Sequence, residues 1–593
     1  MKIYSSTYIA LLITSFTFSC PIQAQYSLMD HQKNKDIQLI GNEKHSFEVQ
    51  LKKEDFIEFQ IEQKDVNLQV LVLSQQMDTL QIINTNNTKN DIEIVQFQAI
   101  DPGTYTFQIS SHIPEYLSDS DLLSHIENIN GAFQFNEPRI FSKGEYIKKM
   151  SIEDAQRDAV ISWINTNSTP LNGVRAETGL EDFSSLKTIL EDKKVIGLGE
   201  TSHGTKEMFQ MKHRFLEFLV KEMGFRTFAI EASHIGCRPI NDYVLYGKSN
   251  SRDALSSQGF WVWDTEEVVD MIEWMRKYNA EVSDDKKVQF VGIDTQVKAL
   301  ELAYDNINTF LSKTKINTKI KEQVDSLFVK LSTSINYKDI SSQRNKLYEL
   351  LSKLVLHKTK LVHNSSISEY ENVIADFRKV LQGVESNDRK LQKNTSTYSI
   401  RDEFMAQTVL EISQKQPGRK IVIWAHNGHI SKNSKEKVNG YPNPLGSALA
   451  RYFGDDYYAI GFSTYQGSFQ AMNYLPREKK YTGVIPFQIP PALEGSLDWY
   501  FAQSKNDIFF IDLNESNSSS PAIKNFLNKK LEMYYAGASW SKDYTHASKQ
   551  RIVPVKTFDG MIFIQETSSA NLTPNGKKEV MRRLQNKRLQ KKS

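Results

Sequence analysis

The sequence predicts an α/β protein: a largely parallel sheet flanked by helices, with an inserted helical subdomain and a small β-sandwich in front. Three observations predict it. Between about residues 36 and 110, polar and apolar side chains alternate, as in HSFEVQLKKEDFIEFQIEQ and GTYTFQISS, with Asn, Asp and Gly turn clusters between the runs. Period two with short turns is the pattern of antiparallel strands that bury one face. From Ser151 onward, short apolar runs recur far apart with helical segments between them: KVIGLG, RTFAIE, KVQFVGID, KIVIWAH, YYAIGF and DIFFID. That alternation marks strands of a mostly parallel sheet joined by helices. Between Ala299 and about residue 395 a Lys-rich, helix-patterned stretch holds no strand candidate and reads as the inserted subdomain.

In chain order, Lys2, a following apolar run and Ile22-Gln23-Ala24 read as a signal peptide over residues 1–24, so the protein is expected to be exported, periplasmic or extracellular. Cys20 offers a lipoprotein alternative, but Thr17-Phe18-Ser19 before it is a poor match to a lipidation box. Cleavage leaves Cys237 as the one cysteine, so no disulfide is expected. No other apolar run approaches the ~20 residues of a membrane span. The β-sandwich is placed at 25–115 and a linker at 116–150. The sandwich groups no His, Asp or Glu for chemistry; it is expected to pack on its neighbour or to contact carbohydrate. The catalytic domain is placed at 151–566, opened by Ser151 as N-cap of SIEDAQRDAVISWI, with the helical subdomain at about 299–395.

A chain of 593 residues with 39% apolar and 11% aromatic residues is globular and longer than one domain. Its net charge of +2 conceals a basic tail at 567–593, where NGKKEVMRRLQNKRLQKKS carries eight Lys or Arg and one Glu. Everything upstream is then slightly acidic, which argues against a nucleic-acid face on the folded body. The tail reads as a solvated helix or a disordered end.

The stretch VIGLGETSHGTKEM can be read closely. Val195 to Leu198 form a strand, and Thr205 or Lys206 opens a helix that puts Met208, Met211, Phe215, Leu219 and Met223 on one face until Gly224 ends it. Residues 226–230 form the next strand, which stops at Glu231. A β-α-β unit makes these strands parallel, so Glu200, His203 and Glu231 share the C-terminal edge. Asp294 after KVQFVGI and His426 after KIVIWA reach the same edge, with His429 and Arg401 nearby in sequence. Ligands of open α/β sheets bind along that edge. Asp294 reads equally as a cap or a functional group. His426 and His429 in HNGH, matched by His203, read as functional. Ser202, His213 and His234 are assigned structural places, and Trp261 and Trp263 a place in the core.

Four chemistries could use such an edge. A dinucleotide fold wants G-x-G-x-x-G, but Ser202 replaces the third glycine and Glu200 would face the anion. A serine hydrolase wants a G-x-S-x-G elbow, which the chain lacks. A zinc or haem protein could recruit His203, His426, His429 and a glutamate, although HExxH is missing. A metal-free hydrolase would use a neutral His to take a proton from water, a carboxylate to hold its ring, and an Arg or second His for the oxyanion. That last option is the one expected here, with no cofactor and no metal. A non-catalytic, carbohydrate-associated binding protein is the remaining alternative.

GETSHGTKEMFQMK, GFRTFAIEAS, WVWDTEEVVDMIEWMRKYN, FVGID, RDEFMA and WAHNGHI, in this order, resemble the erythromycin esterase family from about Ser151 to Gln565. The resemblance implies a carboxylic ester hydrolase with an α/β core, a helical subdomain and a cleft between them. Its essential histidine falls on His203 as general base on water, its glutamates on Glu200 and Glu231, its arginine on Arg401 and its late histidines on His426 and His429. Members that confer macrolide antibiotic resistance open the macrolactone ring, so a small ester or lactone is the implied substrate. Those members carry an aromatic after the essential histidine, where this chain has Gly204, and lack the export signal and β-domain.

Overall fold

The computed structural model describes residues 35–590 apart from 85–91, 114–118, 297–298, 317, 334–341, 387–396, 434–442, 515–519 and 543–548. The expected signal peptide and Cys20 lie outside the described residues. The chain divides into two compact units, Met1–Ser151 and Ile152–Ser593.

The first unit holds two antiparallel sheets. One runs in the order Ile37–Ile40, Asn130–Phe135, Phe56–Lys64, Ile92–Gln98, with Arg139–Phe141 also on Phe56–Lys64. The other runs Lys44–Leu51, Gly103–Ser111, Leu68–Leu73, Thr79–Ile83. The alternation seen in the sequence becomes alternate burial along Phe56–Lys64, and Phe47, Phe59, Phe107 and Phe133 fill the core. The stretch 116–150 is not a plain linker. Its GAFQF run alternates as the earlier strands do and completes the first sheet beside Ile37–Ile40. Ser151 is not an N-cap either, because its helix spans Lys143–Asn167. Ser142 starts it: its backbone N–H and hydroxyl donate to the Glu145 carboxylate at 2.9 and 2.8 Å, and its Oγ accepts from Glu145 N at 3.4 Å. That reciprocal pair is a capping box.

In the second unit the main sheet runs Ser168–Pro170, Ile508–Asp512, Gly560–Thr567, Tyr457–Leu475, Val195–Leu198, Lys420–Trp424, Phe225–Ser233, Gln289–Asp294. The last six are mutually parallel. All six runs expected from the sequence lie in it, with DIFFID antiparallel to its neighbours. The central strands are buried on both faces. Ile196, Leu198, Val422, Trp424 and Phe228 enter one core, while Val195, Ile421, Ile423 and Ala229 enter the other. Such double burial is why these strands read as continuous apolar runs.

The insertion carries helices Leu300–Lys313, Thr318–Thr333, Arg344–Leu356, Lys358–His363 and Ile367–Ser386 around a core of its own, with Phe310, Leu327, Leu347 and Phe377 inside. Helix Thr397–Lys415 then leads back to the sheet. The C-terminal stretch differs from a solvated tail: it forms helix Pro574–Gln590, whose Val580 and Leu584 pack in the same core as Trp261. Among the described residues no helix is long and apolar enough to cross a membrane.

Candidate active site

The glycines of GLGETSHG serve close approach within the protein. A Cβ on Gly199 would lie 2.0 Å from Asn427 Oδ1. Asn427 occupies that space because its side chain donates to Phe462 O at 2.8 Å and accepts from Phe462 N at 3.0 Å, tying the turn after Lys420–Trp424 to strand Tyr457–Leu475 across the end of Val195–Leu198. A Cβ on Gly204 would lie 1.9 Å from the carbonyl oxygen of Gln470, whose N–H donates to Gly204 O at 3.0 Å. The phosphate-loop reading fails here: the bare backbone is filled by protein. Glu200 and His203 sit between these two contacts.

Glu200 is fully buried and makes three bonds. Oε1 meets His203 Nδ1 at 2.7 Å, while Oε2 accepts from Lys212 Nζ at 2.6 Å and Trp424 Nε1 at 2.8 Å. Burial alone would raise this carboxyl, but Lys212 and His203 more than offset it and hold it below the usual value. Lys212 is wholly buried too, with Nζ 4.3 Å from the centroid of the Trp424 ring; burial brings it down to about 8 against the pull of Glu200. His203 keeps 15% of its side chain exposed. With Nδ1–H donated to Glu200, its Nε2 is the lone-pair nitrogen. Trp263 stands edge-on to the ring at 5.2 Å and donates Nε1–H to Glu231 O at 3.1 Å.

Beside it lies a second ionic cluster. A register shift in strand Phe225–Ser233 between Ile230 and Ser233 turns Glu231 toward the site, a common use of irregularity at a strand end. Its Oε1 accepts from Arg401 Nη2 at 2.6 Å and lies 3.1 Å from His429 Nε2; Oε2 accepts from the His426 backbone N–H at 3.0 Å. Arg401 also grips Asp294 through Nε and Nη2, both at 2.9 Å. His429 Nδ1 meets Asp402 Oδ1 at 2.7 Å. Burial would lower His429, but Asp402 and Glu231, one at each ring nitrogen, raise it to about 10. It is an imidazolium, so Nε2 donates to Glu231, and the 3.1 Å approach of Arg401 Nη1 to that nitrogen is a like-charge contact offset by the flanking carboxylates. Glu231, buried but faced by His429 and Arg401, is held well below the usual carboxylate range.

His426 joins the clusters. Its ring centroid is 4.9 Å from that of His203. Nε2–H donates to Ala536 O at 3.3 Å and Nδ1 accepts from Gly428 N at 3.3 Å, so the ring is neutral. Burial, then repulsion from His203, brings it down to about 3.

A family model for erythromycin esterase matches residues 220–567, more than half of the chain. The chain belongs to the erythromycin esterase family. It is 25% identical over 416 residues to erythromycin esterase type II of Escherichia coli, which spans 63% of this chain and 95% of that relative. A putative hydrolase of Bacillus subtilis is 23% identical over 433 residues, 68% of this chain and 90% of its own. A solved protein from Bacillus cereus superposes with a TM-score of 0.61 at 26% identity, over 70% of this chain and 99% of that one. An erythromycin esterase mutant in its open conformation superposes at 0.53 over 69% and 98% of the two chains; at 18% identity it speaks to the fold.

In this erythromycin esterase family member the six expected residues, Glu200, His203, Glu231, Arg401, His426 and His429, come together at one sheet edge, with Asp294 among them as a carboxylate on Arg401. Three partners were missing from the sequence reading. Lys212 lies on the helix after the loop, where a lysine looks solvent-facing; Trp424 looked like one more apolar strand residue; Asp402 follows Arg401 as an ordinary helix charge pair would. A cavity of about 710 Å³, lined by Lys193, Lys432, Tyr457, Asp512 and Asp559 among others, opens at the opposite, N-terminal edge. No histidine is among its lining residues, whereas the acid-base groups described above lie at the C-terminal edge. Among the described residues no group of three or more His, Cys, Asp or Glu could hold a metal ion.

Proposed function

We propose that the protein is a hydrolase that cleaves a carboxylic ester or macrolactone with water activated by His203. The observation that carries this reading is the Glu200–His203 pair: a buried carboxylate at 2.7 Å fixes the Nδ1–H tautomer on a partly exposed ring. Nε2 then takes a proton as the water oxygen bonds to the acyl carbon, and Glu200 stabilises the imidazolium that forms. The carbonyl electrons move to oxygen, on the side of the neutral His426 ring, whose centroid lies 4.9 Å from that of His203. When the tetrahedral intermediate collapses, the C–O bond to the alcohol breaks and the leaving alkoxide takes the proton from His203. Acid and alcohol result. Arg401 spends its Nε and Nη2 donors on Glu231 and Asp294, so it acts by holding Glu231, which in turn holds the His426 backbone.

A panel of simple esters, lactones and erythromycin tests this, run with wild type and His203→Ala, with and without chelator. Hydrolysis lost in the variant and unchanged by chelator is expected. A variant that keeps full activity, or a wild type that loses it to chelator and regains it with zinc, overturns the reading.

A further inference from the structure

The matched family region ends at residue 567, yet the chain beyond it runs along the back of the site. At the His203 end, Ser568 donates its N–H and its hydroxyl to the Glu207 carboxylate, both at 2.6 Å. Lys206 N donates to Ser568 O and Ala570 N to Gly204 O, each at 2.9 Å, and Thr205 bridges Ser569 antiparallel. Three consecutive residues after the base are therefore tied to residues 568–570.

Three residues on, the same segment grips the Trp263 loop. Glu266 N donates to Asn571 O at 2.8 Å, and Asn571 donates its side-chain N–H to Glu267 Oε1 at 2.7 Å. Thr265 bridges Leu572; Thr573 N donates to Asp264 O at 3.0 Å, and its hydroxyl donates to Asp264 Oδ1. Gly576 is required there, since a Cβ would lie 2.5 Å from Asp264 O. Helix Pro574–Gln590 then anchors the end, with Arg583 donating to Gly259 O at 2.7 Å and Val580 and Leu584 buried beside Trp261.

We propose that residues 568–573, anchored by that helix, form a positioning strap that fixes the His203 loop against the Trp263 wall and so sets the placement of the base. The loop has reason to need it. His203 stands on an irregular segment between a strand end and a helix start, and a displacement of about 1 Å in a reacting group can cost about 10²-fold in rate. Without the strap, the backbone groups of Gly204 and Lys206 lose these bonds, and Trp263, whose Nε1–H donates to Glu231 O, loses the anchor of its neighbour Asp264. The strap acts through the two loops.

The inference rests on His203 being the base, and the experiment separates the two. Glu207→Ala cuts the strap at the His203 end, Thr573→Val at the Trp263 end, and Thr573→Ser restores the hydroxyl. Each is measured for kcat and KM on the best ester of the panel, for melting temperature, and for the His203 ring titration by NMR. Expected are a fall in kcat of about 10- to 100-fold with KM within about twofold, a displaced His203 titration in both cutting variants, recovery in Thr573→Ser, and a double variant little worse than either single. Folded variants with wild-type kcat and an unmoved His203 titration overturn the strap, as does a drop in melting temperature alone. If His203→Ala keeps hydrolysis, the hydrolytic reading falls, and the NMR arm still decides the strap.

Discussion

His203 and His429 are both histidines fixed by a carboxylate at Nδ1, both at 2.7 Å, and the two rings serve opposite ends. His203 has a carboxylate on one side only, and 15% of its side chain meets solvent. His429 has carboxylates at both nitrogens and 3% exposure. One ring has its second nitrogen clear of the Glu200 carboxylate; the other, with a carboxylate at each nitrogen, is held in its charged form and cross-links Glu231 to Asp402. Residue type does not distinguish the proposed base from a structural cation here. The count of flanking carboxylates and the access to water do.

The largest effect that would break this contrast is on rate. His203→Ala is expected to lower kcat by at least the ~10²–10⁴-fold of a lost general base, with little change in melting temperature; a stability loss matching that of a His429 cluster variant would erase the distinction. Next comes Asp402→Ala, which leaves His429 with one carboxylate and should destabilise the fold by about 3–5 kcal/mol, read by urea unfolding, as expected when one partner of a buried ion pair is removed. A third test is pH. Because His429 is raised to about 10 in the folded state from ~6.5 unfolded, its contribution is fully present below ~6.5 and is lost as pH rises toward about 10. His426 runs the other way: brought down to about 3, it makes stability fall as pH drops from ~6.5 toward that value. Melting curves against pH should show both limbs, and His429→Gln should flatten the alkaline one. Smallest is Trp424→Phe, which removes one donor to the Glu200 carboxylate while keeping a ring beneath Lys212; about 1.5–3 kcal/mol is expected, the worth of a hydrogen bond to a charged group.

The sheet was legible because strands such as Val195–Leu198 are buried on both faces, which leaves an unbroken apolar run between glycine and polar residues. Glu200, His203, Glu231 and His426 were legible for a topological reason: each lies at or just beyond the C-terminal end of a parallel strand, so one edge had to collect them. Asp402 and Lys212 were not, because their partners lie on other elements and nothing local marks a buried lysine on an amphipathic helix. The linker expected at 116–150 failed on GAFQF, too short beside Gly131 to stand out from its turns. The tail failed on composition: eight basic residues outweighed Val580 and Leu584, whose spacing of four alone signals a docked face.

The cluster at Glu231 also sets the order in which the molecule can be completed. Its arginine comes from 170 residues later in the chain, and the backbone N–H of His426 from 195. During synthesis from the N-terminus, Glu231 and Asp294 emerge long before the cations that neutralise them. Closing loops of that length comes late and slowly. A nascent chain that has passed Asp294 but not yet Arg401 carries acids at its sheet edge with neither the guanidinium nor the imidazolium that receives them in the fold. Strands Val195–Leu198 and Phe225–Ser233 are not yet neighbours at that stage either, since Lys420–Trp424 must be inserted between them. Strand Lys420–Trp424 and His429 arrive within ten residues of one another, so the pairing of Val195–Leu198 with Phe225–Ser233 through that strand and the last charge on Glu231 are completed together.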